Sequence, residues 1–380
     1  MKFLHTSDLH IGKKVFELSM LEEQRAALAQ ISSIAVEEAV QAVVIAGDVY
    51  DRAVPSSEAV ILLDEFLTQL AGAGIPVIMI SGNHDCGERV AFAERILEKQ
   101  GLHISGTYDG QIKDVAIPDE WGMVHFICLP FVKPAVAGAD SSEGAVRNML
   151  SNVPMFPTDA AAHRYVLVTH YFVTGEQGET PELSDSETTV NVGGLDQVPV
   201  SLFQSFSYVA LGHIHKPQRI GQGNVYYSGS PVKYSFSEAM QEKGVNLVEL
   251  NEEGKVSVER RVLKPVHDMR CIRGELAELM KISTATECED YLQVTLTDRE
   301  ELIEPMGTLR SVYPNVLQIV IEKNAPSDTQ EYESRLSGER KSTTQLFADF
   351  YEMLKGEPLD EIRRGYVEDA VKEAESTCDR

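Results

Sequence analysis

The chain has 380 residues, 43% of them hydrophobic and 24% charged, which suits a globular protein of two or three domains. Its formal charge of −25 argues against a protein that grips nucleic acid with its own basic surface. No run approaches the roughly 18–20 apolar residues that span a bilayer, and five cysteines without a CxxC pair argue against a disulfide framework or a structural zinc site. The opening MKFLHTSDLH lacks the apolar core of a signal peptide, so the cytoplasm is the expected location.

Short β-branched runs alternate with helical patterns in the first part of the chain. Strands are predicted at Lys2–Thr6, Ala42–Ala46, Pro76–Ile80, Val124–Cys128, Tyr165–Thr169, Tyr208–Leu211 and Val225–Tyr227. Helices are predicted at Leu21–Ala39, Ser57–Gly72 and Glu88–Lys99, the second after Pro55 and Ser56 with Glu58 in its first turn. Such alternation predicts an α/β fold with sheets covered by helices. After about Lys264 the texture changes. Strands at Met269–Arg273, Tyr291–Thr297 and Val316–Ile321, with helices at Gly274–Lys281 and Glu300–Ser311, read as a small α+β module. A polar stretch from Glu322 to Gly338 reads as a linker, and Thr344–Glu375 as two amphipathic helices broken at Gly356–Pro358. Leu346, Phe347, Phe350, Tyr351 and Leu354 form an apolar stripe there. The predicted domains are 1–264, 265–325, a linker at 326–343 and a helical tail at 344–380.

The chemistry lies where the strands end. The first is followed by Ser7-Asp8-Leu9-His10, the second by Gly47-Asp48, and the third by Ser81-Gly82-Asn83-His84-Asp85. Later strands lead into Thr169-His170 and Gly212-His213-Ile214-His215. In open α/β sheets the ligand crevice lies beyond the carboxyl ends of the strands, so these positions converge. One carboxylate bridging two cations, with imidazoles and an amide filling the other positions, is the donor set of a dinuclear site. Asp8/His10 and His213/His215 are each separated by one residue, so in extended backbone both members of a pair point the same way. The glycines before Asp48, Asn83 and His213 would let the chain turn sharply.

The set DxH, GD, GNHD, a lone His and GHxH resembles the calcineurin-like metallophosphoesterase superfamily. Within it, LHTSDLHIGK, VGGLDQVPVSLFQSFSYVALGHIHKPQ and YSGSPVKYSFSE are similar to the SbcD branch of bacterial nuclease subunits. The resemblance implies a four-layer α-β-β-α metallophosphoesterase core, a small α+β capping domain and a C-terminal helical tail. It implies two divalent metal ions, with Mn²⁺ expected: one held by Asp8, His10, Asp48 and His215, the other by Asp48, Asn83, His170 and His213. It assigns His84 to catalysis, as donor to the leaving oxygen. Asp51, in GDVYDR, would orient His84 by accepting from its other ring nitrogen, or else be an ordinary solvated carboxylate. Arg52 reads as a surface ion pair ahead of a phosphate contact.

The implied activity is 3′→5′ exonuclease on duplex DNA and endonuclease on single strands and hairpins, in DNA repair and recombination. The implied partners are DNA and an SbcC-type ABC ATPase, whose coiled-coil base would receive the tail unless the tail packs back onto the capping module, with a homodimer inside a heterotetramer. Val60, Ile61, Leu63, Leu67 and Leu70, and Phe92, Ile96 and Leu97, read first as core faces and second as the dimer surface. Divalent cations or the ATPase would reconcile the acidic charge with DNA. The alternatives are a stand-alone phosphatase or phosphodiesterase, and a non-catalytic scaffold. His5 and His125 read as core residues, Asp85 as a loop support, and His103, His163 and His267 lack metal-like neighbours.

Overall fold

In the first strand Phe3 and Leu4 are both fully buried, because the period of two sends one to each face of a sheet covered on both sides. The structure is a computed structural model that describes residues 1–153, 164–187, 196–281, 288–300 and 302–322, with scattered positions between 344 and 370. The core strands are β1 (Lys2–Thr6), β2 (Ala42–Ala46), β3 (Val77–Ile80), β4 (Leu102–Ser105), β5 (Lys113–Asp119) and β6 (Gly122–Leu129). They continue with β7 (Tyr165–His170), β8 (Tyr208–Gly212), β9 (Gln218–Arg219), β10 (Val225–Tyr227), β11 (Gly244–Leu250) and β12 (Val256–Val262).

Two six-stranded sheets result, in the orders β12-β11-β1-β2-β3-β4 and β9-β10-β8-β7-β6-β5. Each has four parallel strands flanked by antiparallel ones: β1 to β4 in the first, and β6, β7, β8 and β10 in the second. Phe3, Val44, Ile78, Phe126, Val166 and Tyr208 fill the space between the sheets. Phe3 meets the Phe126 and Tyr208 rings edge-on at 5.4 and 5.7 Å, so Phe3→Ala would cost about 3–5 kcal/mol. On the outer face of the first sheet lie α1 (Leu21–Glu37) and α2 (Ser57–Gly72), through Leu28, Ile31, Leu62 and Phe66. On the outer face of the second lies α3 (Ser142–Ser151), through Val146 and Met149. The order helix, sheet, sheet, helix is thus four layers of one α/β fold. The side chain of Ser56 caps α2 by accepting from the Ala59 amide, a contact worth about 1 kcal/mol.

Several expectations need correction. The helix expected at Glu88–Lys99 is broken into Gly87–Val90, Glu94–Leu97 and a 3₁₀ turn at Glu98–Gln100, with Ala93 at φ 60 between them. Only Val90 of this stretch is buried, and Phe92 and Ile96 are 78% and 71% exposed, so no apolar face sustains a long helix. Five core strands went unrecognised: β4, β5, β9, β11 and β12. Of these β5 carries Pro118, which is tolerated because the strand is an edge. His125 is half-buried rather than core, paired with Asp114 at 2.8 Å and stacked on Tyr165. His5 is fully buried, bonded to the Tyr208 hydroxyl at 2.9 Å and the Leu211 carbonyl at 3.2 Å.

The module after Lys264 has three strands, β13 (Met269–Gly274), β14 (Tyr291–Leu296) and β15 (Val316–Ile321), all parallel rather than segregated from its helices. Its short helices are Leu276–Leu279 and Pro305–Arg310, the latter starting late because Pro305 suits a first helical position. Leu292, Val294, Leu309, Tyr313 and Val316 form its core, whereas Met269 and Tyr291 join the cluster under α1. Residues Met1–Ile321 accordingly form one compact unit, and Glu322–Arg380 a second. The linker and most of the tail predicted from sequence, including Leu346, Phe350 and Leu354, lie outside the described residues. Among those described, no helix is long and apolar enough to cross a membrane.

Candidate metal centre

Because β1, β2 and β3 run parallel in one sheet and β7 and β8 in the other, their carboxyl ends form a single rim. Asp8 and His10 follow β1, Asp48 follows β2, and Asn83 and His84 follow β3. His170 is the last residue of β7, and His213 and His215 follow β8. All seven expected ligands meet there. The His10 and His215 Nε2 atoms are 3.1 Å apart, and His10 Nε2 lies 3.6 Å from Asp48 Oδ2. His170 Nε2 lies 3.3 Å from Asp48 Oδ2 and 3.0 Å from Asn83 Oδ1, while His213 Nδ1 is 2.9 Å from the same amide oxygen. Asp8 shares one cluster with His10 and His215 and another with Asp48 and His170, with ligand atoms within 4.8 Å.

The backbone is strained where the ligands sit. Asp8 (φ 52), His10 (φ 41), Asp48 (φ 49) and His213 (φ 103) all occupy the left-handed region, which non-glycine residues rarely adopt. Such strain concentrates at functional sites, where the surroundings over-determine it. Of the three glycines, only Gly47 itself has positive φ. Gly82 and Gly212 serve instead as space: a Cβ on Gly82 would strike Asp48, and one on Gly212 would strike the Ala46 carbonyl and the His170 ring.

The electrostatics suit cations. Asp8 and Asp48 are buried, and among the described residues neither has a Lys or Arg ion-pair partner. Burial, then the neighbouring Asp48 charge, pushes the Asp8 carboxyl up to about 7. Asp48 stays well below the usual carboxylate range, because His170, His10 and His84 outweigh its burial. Burial disfavours a proton on His170, yet Asp48 raises it to about 9. His213 falls to about 3 through burial and the His170 charge, and burial also lowers His10 and His215. Two carboxylates, four imidazoles and an amide oxygen converging with no lysine or arginine among them match the oxygen and nitrogen donors of a divalent cation, which would take the place of the His170 proton. His170 donates from Nδ1 to the Ala46 carbonyl at 2.8 Å, which leaves Nε2 free to ligate.

His84 sits on the open side, half-buried beside exposed Asn83, with its ring 4.8 Å from that of His10. Its amide donates to Asp48 Oδ1 at 2.9 Å. The expected role of Asp51 needs correction. His84 Nδ1 meets the Asp51 backbone carbonyl at 3.0 Å, whereas the Asp51 carboxylate pairs with Lys13 at 3.0 Å and lies 3.8 Å from His10 Nδ1. The chain turns at Asp51, which brings its carbonyl to His84 and leaves its side chain facing the first-strand loop. Arg52 is largely exposed, 3.6 Å from Asp51. Asp85 supports the loop, accepting from the amides of Val49, Tyr50 and Gly82.

Residues 1–217 match the family model described as calcineurin-like phosphoesterase. Over 368 residues the chain is 30% identical to the SbcD nuclease subunit of the SbcCD complex of Staphylococcus epidermidis, with 96% of each covered. The chain belongs to the SbcD family of calcineurin-like phosphoesterases. Residues 265–354 match a second model, described as the type 5 capsule protein repressor C-terminal domain. A solved structure, the protein TT1561 of Thermus thermophilus, aligns at 13% identity and a TM-score of 0.41, covering 69% of this chain and 99% of that one. Membership in the SbcD family makes the chain a phosphoesterase of hydrolytic phosphodiester chemistry, and the rim is its candidate metal centre.

Sequence reasoning missed the groups behind His215 in this SbcD-family site. Ser186 Oγ is 2.7 Å from His215 Nδ1 and donates to Glu238 Oε1 at 2.5 Å. Glu238 is fully buried and pairs with Lys243 at 2.6 Å. The one available signal is a Glu and a Lys five positions apart in a segment that is otherwise small and apolar at its start, GSPVKYSFSEAMQEK, and it does not say what the pair faces.

Proposed function

We propose that this chain is the Mn²⁺-dependent DNA nuclease subunit of an SbcCD-type complex, a 3′→5′ exonuclease on duplex DNA and an endonuclease on single strands and hairpins, working in repair and recombination in the cytoplasm. The observation that carries this reading is the convergence of Asp8, His10, Asp48, Asn83, His170, His213 and His215 on one rim, with His84 on its open side.

Asp8, His10, Asp48 and His215 would hold one ion, and Asp48, Asn83, His170 and His213 the other. When bound, the ions supply Lewis-acid stabilisation of charge on a phosphodiester and activation of water. The chain itself supplies a proton. A carbonyl can only accept, so the 3.0 Å contact to Asp51 requires a hydrogen on His84 Nδ1. That leaves Nε2 as the exchangeable atom: to act as donor the ring must carry a second hydrogen there, which passes to the departing 3′-oxygen and leaves the ring neutral with Nδ1–H still held. Asp51 thereby orients the catalytic ring through its main chain. Asp85 keeps the Asn83–His84 loop in register with Asp48 through its three backbone contacts.

The formal charge of −25 fits a subunit whose DNA grip is provided by an ABC-type ATPase partner, docked by the segment 344–380. The module at 265–325 would select DNA shape. Half-exposed Val60 and Ile61 on α2, together with exposed Phe92 and Ile96, favour a second copy as the partner of these apolar side chains.

The test is Mn²⁺-dependent degradation of end-labelled linear duplex and hairpin DNA, with and without the co-purified ATPase, beside a p-nitrophenyl ester. Degradation of DNA that strengthens with the ATPase and falls steeply with salt supports the assignment. Turnover of the ester alone would make the chain a small-molecule phosphoesterase, and inertness of both substrates would make it a scaffold.

A further inference from the structure

His215 is held through its main chain and its ring by side chains that are not themselves on the rim. Its backbone amide donates to the Glu187 carboxylate, and its carbonyl accepts from Lys243 Nζ at 3.0 Å. Its ring Nδ1 lies 2.7 Å from Ser186 Oγ. His10, by contrast, leaves its Nδ1 buried without a hydrogen-bond partner.

The hydrogen placement at Ser186 follows from the acceptor. Glu238 Oε1 receives the Ser186 hydroxyl at 2.5 Å and the Ser235 hydroxyl at 3.0 Å, and a carboxylate only accepts. The Ser186 oxygen must then receive the Nδ1 hydrogen of His215, which leaves Nε2 as a lone pair aimed at His10 Nε2, 3.1 Å away. Glu238 is in turn fixed by Lys243 at 2.6 Å, and Lys243 also donates to Ser230 Oγ at 3.0 Å and Gln241 Oε1 at 2.9 Å. A buried ion pair adds little net stability to a fold. This one is spent on a single imidazole.

We propose that Ser186 and Glu238, locked by Lys243, are positioning residues that fix the tautomer and aim of His215 toward a divalent cation. The relay runs carboxylate, hydroxyl, imidazole, and it acts on one of the two ions only, because Asp48, Asn83, His170 and His213 lie outside it. The inference rests on the metal-centre reading above.

Mn²⁺ titration calorimetry on the full chain separates the two. Ser186→Ala removes the relay without stranding a buried charge. It is expected to weaken one of two Mn²⁺ sites by about 10-fold or more while the other keeps its affinity. Ser186→Thr, which keeps the hydroxyl, should restore the weakened site. The thermal midpoint of the metal-free Ser186→Ala protein should match that of the wild type. Unchanged affinity at both sites would overturn the relay, and so would an affinity loss that Thr does not restore. Absence of any Mn²⁺ binding by the wild type would instead remove the metal centre itself, and the relay with it.

Discussion

Opposite ends of the two-sheet core both bury carboxylates, and they complete them in different ways. At the amino end of the parallel strands Asp119, 1% exposed, is met by the forked Arg164 guanidinium, by the Met1 amino group at 2.6 Å and by the Trp121 amide at 2.9 Å. The Arg164 hydrogen bonds hold its carboxyl well below the ordinary range. At the carboxyl end Asp8 and Asp48 are buried as deeply, yet meet imidazoles, an amide and each other. A carboxylate completed by the chain's own cations serves the fold. One left short of positive charge serves a cation from outside. Burial alone does not separate the two cases; the partners do.

Exchanging the readouts of the two ends tests that distinction. Asp48→Ala should lower metal-dependent phosphodiester turnover by about 10⁴-fold, the scale of several kcal/mol of transition-state stabilisation, while circular dichroism stays native. Arg164→Ala should do the reverse. It removes the forked guanidinium but leaves Asp119 the Met1 amino group and the Trp121 amide, and should cost about 1.5–3 kcal/mol in urea unfolding, with specific activity per folded molecule retained. An Asp48→Ala protein that fails to fold, or an Arg164→Ala protein that folds stably but no longer binds metal, would erase the contrast.

The ligand rim was legible in the sequence because metal chemistry restricts residue type and strand ends restrict position. Asp48 and His170 announce themselves one residue beyond an apolar run, and Asp8 a few residues beyond one. Sheets covered by helices were legible because β2, β7 and β8, buried on both faces, are dominated by apolar residues, whereas the four-layer order came only with the family resemblance. What stayed hidden depends on atoms rather than residue types. The pattern GDVYDR places Asp51 beside His84 but does not tell its carbonyl from its carboxylate. Ser186 and Glu238 reach His215 from 29 and 23 positions away along irregular chain, where no periodicity marks them. Strands β5 and β12 are half-exposed edges with weak apolar signals. Residues 88–99 mislead in the other direction, since an apolar pattern that faces outward looks, in sequence, like one that faces the core.

His84 sharpens the contrast from within the carboxyl rim, because the proposed reading gives it a proton to deliver although its ring also lies within ligand distance of His10 and Asp48. His84→Gln should lower turnover by about 10²–10³-fold, the range for losing a positioned proton donor, while Mn²⁺ affinity measured by calorimetry stays near wild type. The loss should be smaller for a substrate with an acidic leaving group, such as a p-nitrophenyl phosphodiester, which needs no proton to depart. A uniform loss on both substrates would reassign His84 to substrate binding.

The smallest effect expected is on the pH dependence of the metal-free protein, and its sign follows from the missing cation. With no metal, His170 is raised to about 9 by Asp48, above its ordinary 6.5. Its contribution to stability is present below that ordinary value and is lost as pH rises through about 9. Asp8, raised to about 7 by burial, adds a loss in the same direction up to neutrality, whereas His10, His213 and His215, all lowered, act only on the acid side. Between about pH 7 and 9 the thermal midpoint should therefore fall, by a few degrees for a chain of this size. Saturating Mn²⁺ should flatten or reverse that slope, because the ion takes the place of the His170 proton and binds more tightly as pH rises. A metal-free midpoint that holds level across this window would mean that Asp8 and Asp48 find no counter-charge in His170. The carboxyl rim would then owe its stability to contacts of the kind seen around Asp119, and the contrast between the two ends would lose its physical basis.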